Sequence, residues 1–397
     1  MNFRQFGILF AAEIGSKLAL VSVAFVLIRV LTPSAFGDFG YSMAVASVSA
    51  LIPANTVNRI WALLPHNDFD FPELADWLPS QALLCFLILT PIISFSMNLT
   101  AGILTALLAF SILLIENIKS FHQETGKLAL WARCELVRAY TSLILVGGSV
   151  VLLASPSAEI VIGCQIVANF SGVVATRHAI LSLIPIAPLG AIRRTATYSL
   201  RNDVAWITVF SAMITLFSQL PLLILRWTAS GIILSEFLAA YRYSLILALA
   251  QNALNIASSR SIKMGDHSQM NITHRHLSYG YTFGALVAIA LCPLVVPAID
   301  RGLYENSVEA LQILIVSSVI SFYLSVKSSL LISLGKFRLM ALLSFGSILV
   351  LTVATIYGAK NFGATGGAIA YLFANSAFHL SVWLYYRRMQ TRPRSSH

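Results

Sequence analysis

Seven charged residues fall inside stretches that otherwise read as hydrocarbon. Lys17 stands near the middle of an apolar run at 8–30, with Glu13 one helical turn earlier on the same face. Arg242 lies near the middle of the run 232–257, and Glu236 lies close to the start of that run. Arg59 and Lys327 sit toward one end of the runs 39–64 and 308–334, and Asp203 near the start of 198–225. Burying one such charge in a bilayer costs about 2.5–3.5 kcal/mol on insertion scales, so each must meet something polar. Cationic side chains at that depth can replace the hydration of an anion with charge-assisted hydrogen bonds. Lys17, Arg242, Arg59 and Lys327 are therefore the candidate substrate-binding residues, and the carboxylates Glu13, Asp203 and Glu236 are candidates for ion coupling. Plainer roles stand beside these. Glu13 and Lys17 can lock helix packing as an ion pair, Arg59 and Lys327 can snorkel to the membrane surface, and Asp203 with Arg201 can sit at the interface. Arg242 has no carboxylate at i+3 or i+4. The aromatic residues Tyr41, Trp61, Tyr241, Tyr243 and Tyr323 could stack on sugar rings, or simply pack against lipid.

The elements that carry these residues are set by composition. Of 397 residues, 57% are hydrophobic and 11% charged, with mean hydropathy +0.80. A soluble domain carries about 25% charged residues, so lipid must be the solvent for most of the exposed surface. Apolar runs lie near 8–30, 39–64, 77–97, 100–116, 136–154, 160–176, 198–225, 232–257, 277–299, 308–334, 339–358 and 363–386. Each is near the roughly 20 residues a spanning helix needs. The reading is an all-α integral membrane protein of about twelve transmembrane helices, in two six-helix halves around a central cavity. The first run is long enough to span and lacks a small-residue cleavage site, so it reads as a helix and not as a signal peptide.

The net charge of +10 reflects topology, with no nucleic-acid partner expected. With a cytoplasmic N-terminus, most Lys and Arg fall on the cytoplasmic side: Lys119, Lys127, Arg133 and Arg138; Arg177, Arg193, Arg194 and Arg201; Arg260, Lys263 and Arg275; Lys336 and Arg338; and the C-terminal Arg387, Arg388, Arg392 and Arg394. The other side receives Arg29, Arg226, Arg301 and Lys360. That asymmetry follows the positive-inside rule and puts both termini in the cytoplasm. The segment 177–197 reads as a linker between halves 1–185 and 186–397. Arg29 followed by Gly37-Asp38-Phe39, and Arg226 followed by Ser235-Glu236-Phe237, give those halves a faint self-similarity.

Chemistry of other kinds finds little support. Cys85, Cys134, Cys164 and Cys292 are widely spaced and lie in or beside apolar runs, as small hydrophobic filler does. His274 and His276 make a poor metal site, and no metal or cofactor is expected. Asn98-Leu99-Thr100 and Asn271-Ile272-Thr273 match a glycosylation triplet that arises often by chance. No Walker loop, GxSxG or HExxH motif occurs, so neither an ATPase engine nor a hydrolase is expected.

Three stretches carry a resemblance. Ile28-Arg29-Val30-Leu31-Thr32-Pro33-Ser34-Ala35-Phe36-Gly37-Asp38-Phe39-Gly40 resembles the turn between the first two helices of the Wzx-type polysaccharide flippases. These belong to the multidrug/oligosaccharidyl-lipid/polysaccharide exporter superfamily. Asn361-Phe362-Gly363-Ala364-Thr365-Gly366-Gly367-Ala368-Ile369-Ala370 is similar to the opening of their last helix, and Val308 to Gly335 to their tenth. The resemblance implies a flippase that moves a polyprenyl-pyrophosphate-linked saccharide from the cytoplasmic to the outer leaflet by alternating access. It implies a role in O-antigen, capsule or exopolysaccharide assembly, with the candidate cations lining the cavity. It further implies the inner membrane as location, the lipid-linked oligosaccharide and membrane lipids as partners, and a polysaccharide polymerase and chain-length machinery as possible associates. Two rival readings remain. A drug or cation antiporter of the same superfamily would favour acidic cavity residues, and a membrane saccharide polymerase or ligase would need a larger external loop than 155–159, 226–231 or 300–307 provides.

Overall fold

In the computed structural model the described residues are 3–63, 91, 98–124, 127–153, 156–176, 202–263 and 267–391. The run 77–97 (apart from Pro91), the acidic segment 65–76 and the linker 177–197 lie outside them. Every element among the described residues is an α-helix. In chain order these are α1 (Phe3–Val30), α2 (Pro33–Leu63), α3 (Leu99–Glu124), α4 (Leu128–Leu153), α5 (Ala158–Val174), α6 (Asn202–Thr228), α7 (Gly231–Lys263), α8 (His267–Asp300), α9 (Ser307–Ser333) and α10 (Phe337–Thr391). The last is two helices run together, because Gly363 adopts φ 57° and ψ −135° and reverses the chain between arms 337–362 and 364–391. Within the described residues, seven helical spans are long and apolar enough to cross a membrane, and Ala158–Val174 is a shorter apolar helix. The chain is an all-α, multi-pass membrane protein.

Helix ends follow local chemistry. Pro33 occupies the first position of α2, where its missing N–H costs nothing, and Thr32 Oγ1 caps the turn by accepting from Ala35 N at 3.3 Å. Asn98 Oδ1 accepts from Ala101 N at 2.7 Å, so the first glycosylation-like triplet holds a helix cap. Ser157 and Ser230 cap α5 and α7 in the same way, through Ile160 N and Ile233 N. At the other end of α9, Gly335 takes φ 69°, and the N–H groups of Gly335 and Lys336 close onto Ile332 O and Leu331 O. These bonds matter because backbone groups in hydrocarbon have no water to satisfy them.

The chain forms two compact units, Met1–Thr215 and Leu216–His397. In the first, α4 packs along α1 and against α5, and α3 packs on α2 and α5. Small residues permit this. A Cβ on Gly172 of α5 would stand 2.9 Å from Cys134 O and 2.9 Å from Ile115 Cδ1. The seam is stitched by Asn169 donating to Ser111 Oγ at 2.9 Å and Gln165 donating to Ser142 Oγ at 2.8 Å, all buried. In the second unit α9 packs on α10 and α7. There Asn375 Nδ2 donates to Ser317 Oγ at 2.8 Å and Ser321 Oγ at 2.6 Å. The two arms of α10 touch so closely that a Cβ on Gly366 would lie 2.0 Å from Gly358 O. Glycine is obligatory at that crossing.

Candidate functional site

Among the described residues of the first unit, buried ion pairs gather on residues that the sequence assigns to a cytoplasmic connection. Lys119 and Arg138 are not in a loop. The helices α3 and α4 continue past the expected ends of their apolar runs and carry both side chains into the interior. This is possible because each cation is neutralised there. Lys119 Nζ lies 2.8 Å from Glu116 Oε1 and 3.1 Å from Glu135 Oε2, while Arg138 Nη2 donates to Glu135 Oε1. The side chains of Glu135, Lys119 and Arg138 are 1%, 14% and 17% exposed, so solvent screens these contacts weakly. Lys119 meets Glu135 Oε2 without hydrogen-bond geometry, and that contact is electrostatic.

Lys17 joins the same group. It stands on α1, and its charge acts on Glu135 across the α1–α4 packing. Glu135 is thus held by Lys119 and Arg138 and feels the charge of Lys17, while Glu116 pairs with Lys119. One wall of the network is dry: Ile115, Ile118, Cys134 and Val173 form a buried apolar cluster beside it. A low local dielectric strengthens both the attractions and the penalty for losing any of them. The sequence did hold a signal, since Glu116 with Lys119 and Glu135 with Arg138 are both i, i+3 pairs on helices. Cutting the apolar runs at 116 and 136 concealed it.

The other cations are placed separately. Arg59, at the end of α2, lays its guanidinium 4.2 Å from the centre of the Phe210 ring. Its Nη1 is buried and has no hydrogen-bond partner, so the group retains unused donor capacity. Nearby on the same two helices, Asn55 Nδ2 donates to Thr215 Oγ1 at 3.3 Å. Arg59 therefore faces protein and does not simply trail to a surface. In the second unit, half-buried Arg242 is adjacent to Tyr241, which stacks on Phe237 with ring centres 6.3 Å apart. Lys327 Nζ lies 5.2 Å over the Tyr386 ring. Lys17 and Arg59 belong to the first unit, Arg242 and Lys327 to the second.

Of the coupling candidates, Glu236 is 6% exposed and accepts from Asn306 Nδ2 at 2.9 Å. The side chains of Glu13 and Asp203 lie outside the described residues, as does that of Trp61. Tyr41 and Tyr243 are buried, and Tyr323 OH is exposed and accepts from Thr282 Oγ1 at 3.3 Å. Beyond the end of the α8 span, His274 stacks on Phe322, its Nε2 3.1 Å from Phe322 O. Burial lowers the imidazole pKa below its ordinary value; the Phe322 carbonyl opposes that shift and the charge of Lys327 adds to it. Among the described residues no group of three His, Cys, Asp or Glu side chains is placed to hold a metal ion.

No protein-family model and no curated protein sequence matches the chain. Solved structures do. The chain is similar to the lipid II flippase MurJ in an inward closed conformation, at 12% identity over 97% of this chain and 88% of that one, with TM-score 0.72. An inward-facing multidrug resistance MATE family transporter of the MOP superfamily aligns at 11% identity over 94% of both chains, with TM-score 0.64. A MOP superfamily transporter from Pyrococcus furiosus, described as having a binding pocket of reverse polarity that suggests a different function, aligns at 12% identity. That match covers 97% and 95% of the two chains, with TM-score 0.62. At these identities the likeness is one of fold. The chain has the helical fold of MOP superfamily transporters.

Proposed function

We propose that the protein is a membrane transporter, and specifically a flippase that carries a polyprenyl-pyrophosphate-linked saccharide from the cytoplasmic to the outer leaflet for surface polysaccharide assembly. The observation that carries this reading is Arg59, a guanidinium stacked on Phe210 with a buried nitrogen that has no partner. A cation in that state has been desolvated and still has hydrogen bonds to give. An oxyanion such as a diphosphate fits it, since a guanidinium presents planar paired donors to phosphate oxygens.

The barrier to lipid flipping is loss of water from the diphosphate and the sugar hydroxyls, because the polyprenyl chain can stay in lipid throughout. Lys17 in the first unit and Arg242 and Lys327 in the second are the further candidate cations in this reading. The fold supports it too, since one structure that aligns with this chain is a lipid II flippase. Alternating access supplies the movement, with both termini in the cytoplasm and the protein in the inner membrane. A polysaccharide polymerase and chain-length machinery would act on the delivered product.

The alternative is a drug or cation antiporter of the same fold, which the multidrug transporters among the similar structures keep in view. Cationic cargo would have to approach the desolvated guanidinium of Arg59 against repulsion, which disfavours it. The deciding experiment uses purified protein in sealed vesicles with a fluorescent diphosphate lipid carrying a short saccharide, scored by dithionite bleaching of the outer leaflet. Protein-dependent exchange of the label is expected, with competition by the unlabelled diphosphate lipid. Exchange that stays at the rate of empty vesicles, with uptake of lipophilic cations instead, would move the assignment to the antiporter.

A further inference from the structure

The second unit contains a buried carboxylate that the cargo reading leaves unused. α8 ends at Asp300, and the carbonyl groups of its last turn point the negative end of the helix dipole at that residue. An ionised side chain is disfavoured there. Asp300 is nevertheless 1% exposed. Arg301 and Gly302 follow with φ 58° and φ 73°, so two successive left-handed residues fold the chain back and bring Gly302 N to Asp300 Oδ1 at 2.9 Å. Asp300 Oδ2 is buried and has no hydrogen-bond partner.

The groups around it carry oxygen, and none brings a positive charge into ion-pair range. From α7, the phenol of Tyr243 lies within electrostatic reach of the Asp300 carboxylate; from the α8–α9 connection, that of Tyr304 does as well. Both tyrosines are buried, and Tyr304 is among the largest fully buried side chains. α7 also brings Glu236, bonded through Asn306 to the same connection. Arg301 is exposed, and no Lys, Arg or His nitrogen among the described residues lies within 4.0 Å of the Asp300 carboxylate.

A buried carboxyl oxygen without a partner at the negative end of a helix, beside two buried phenols, is one positive charge short. We propose that Asp300 is the carboxylate of a monovalent-cation site that takes up a proton or a sodium ion, with Tyr243 and Tyr304 as its neutral oxygen neighbours. Binding neutralises the end of α8 and lets the α8–α9 connection stay folded against α7. On the transporter reading above, this gives the second unit a group whose charge follows a cation gradient. That coupling role rests on the transporter reading, whereas the binding itself does not.

The test is infrared difference spectroscopy on the full chain in lipid nanodiscs, cycled between acid and alkaline sodium-free buffer and then titrated with sodium at constant pH. For a proton site, an aspartic acid carbonyl band should appear on acidification, vanish in Asp300→Asn and survive in Glu236→Gln. For a sodium site, sodium should shift a carboxylate band that Asp300→Asn likewise removes. Tyr304→Phe and Tyr243→Phe retain Asp300 and guard against misfolding of the Asn variant; at least one should move the cation midpoint about tenfold, the worth of one hydrogen bond to an ion. Spectra in which neither protons nor sodium produce an Asp300-dependent band overturn the proposal, as does a midpoint indifferent to both neighbours. The readout is a vibration and not export, so it stands or falls apart from the choice of cargo.

Discussion

Replacing Glu135 by Gln keeps the side-chain shape and removes one charge from the centre of the first unit's ion network. The consequence can be worked from the contacts. Lys119 retains Glu116 at 2.8 Å, but Arg138, 17% exposed, loses the carboxylate it donates to. Breaking a buried pair by removing one partner costs about 3–5 kcal/mol, because the other charge is left uncompensated. Arg138→Gln should cost less, about 1.5–3 kcal/mol, the worth of a hydrogen bond to a charged group. Glu135 would still have Lys119 at 3.1 Å and the charge of Lys17. The double variant strands neither ion of that pair, so its cost should fall short of the sum by about 1–3 kcal/mol. The assay is equilibrium unfolding of purified protein in a mild detergent, with all three variants compared under one set of conditions. Additivity to within about 0.5 kcal/mol would refute the coupling, and the ions would then have to be regarded as independently solvated.

Other outcomes follow from the same geometry. Gly366→Ala would place a Cβ 2.0 Å from Gly358 O and should abolish monodisperse folded protein on size-exclusion chromatography, while Gly346→Ala, with nothing within 4 Å, should not. Arg59→Ala should reduce diphosphate-lipid exchange at least about tenfold, equivalent to losing one charge-assisted hydrogen bond, with Arg59→Lys retaining part of it; equal rates in the two variants would argue against a need for positive charge. His274 is favoured in its neutral form by burial. The unfolded chain therefore binds the extra proton more readily, and stability should fall as pH drops below about 6.5, the ordinary histidine value. His274→Gln should flatten that limb of the profile, and an unchanged slope in thermal unfolding would remove His274 as its source.

The helical course of the chain was legible early, because in a bilayer the apolar runs and their boundaries obey one strong rule. Runs such as 160–176 and 308–334 match α5 and α9 to within about a turn, the usual scatter of helix boundaries. The charged groups were less legible. Arg59 was visible as a cation inside an apolar run, yet its seat on Phe210 comes from α6, far along the chain. Asp300 was absent from the candidates because it lies where a run ends, a position that normally means exposure. Lys119 and Arg138 were taken for topology markers since sequence alone gives no account of what would neutralise them.

What the sequence determined by itself is the solvent and the punctuation. A chain with 11% charged residues in 397 must use lipid as its surroundings, and Thr32-Pro33, Asn98, Ser157 and Gly335 begin or end helices through bonds closed within a turn. Tertiary structure alone decided which charges meet. Glu135 draws on Lys119 from α3 and on Lys17 from α1, and Asp300 is shut in by residues from α7 and from the connection to α9. Those meetings depend on the rotation and depth at which whole helices pack, and spacing along one helix carries no information about either.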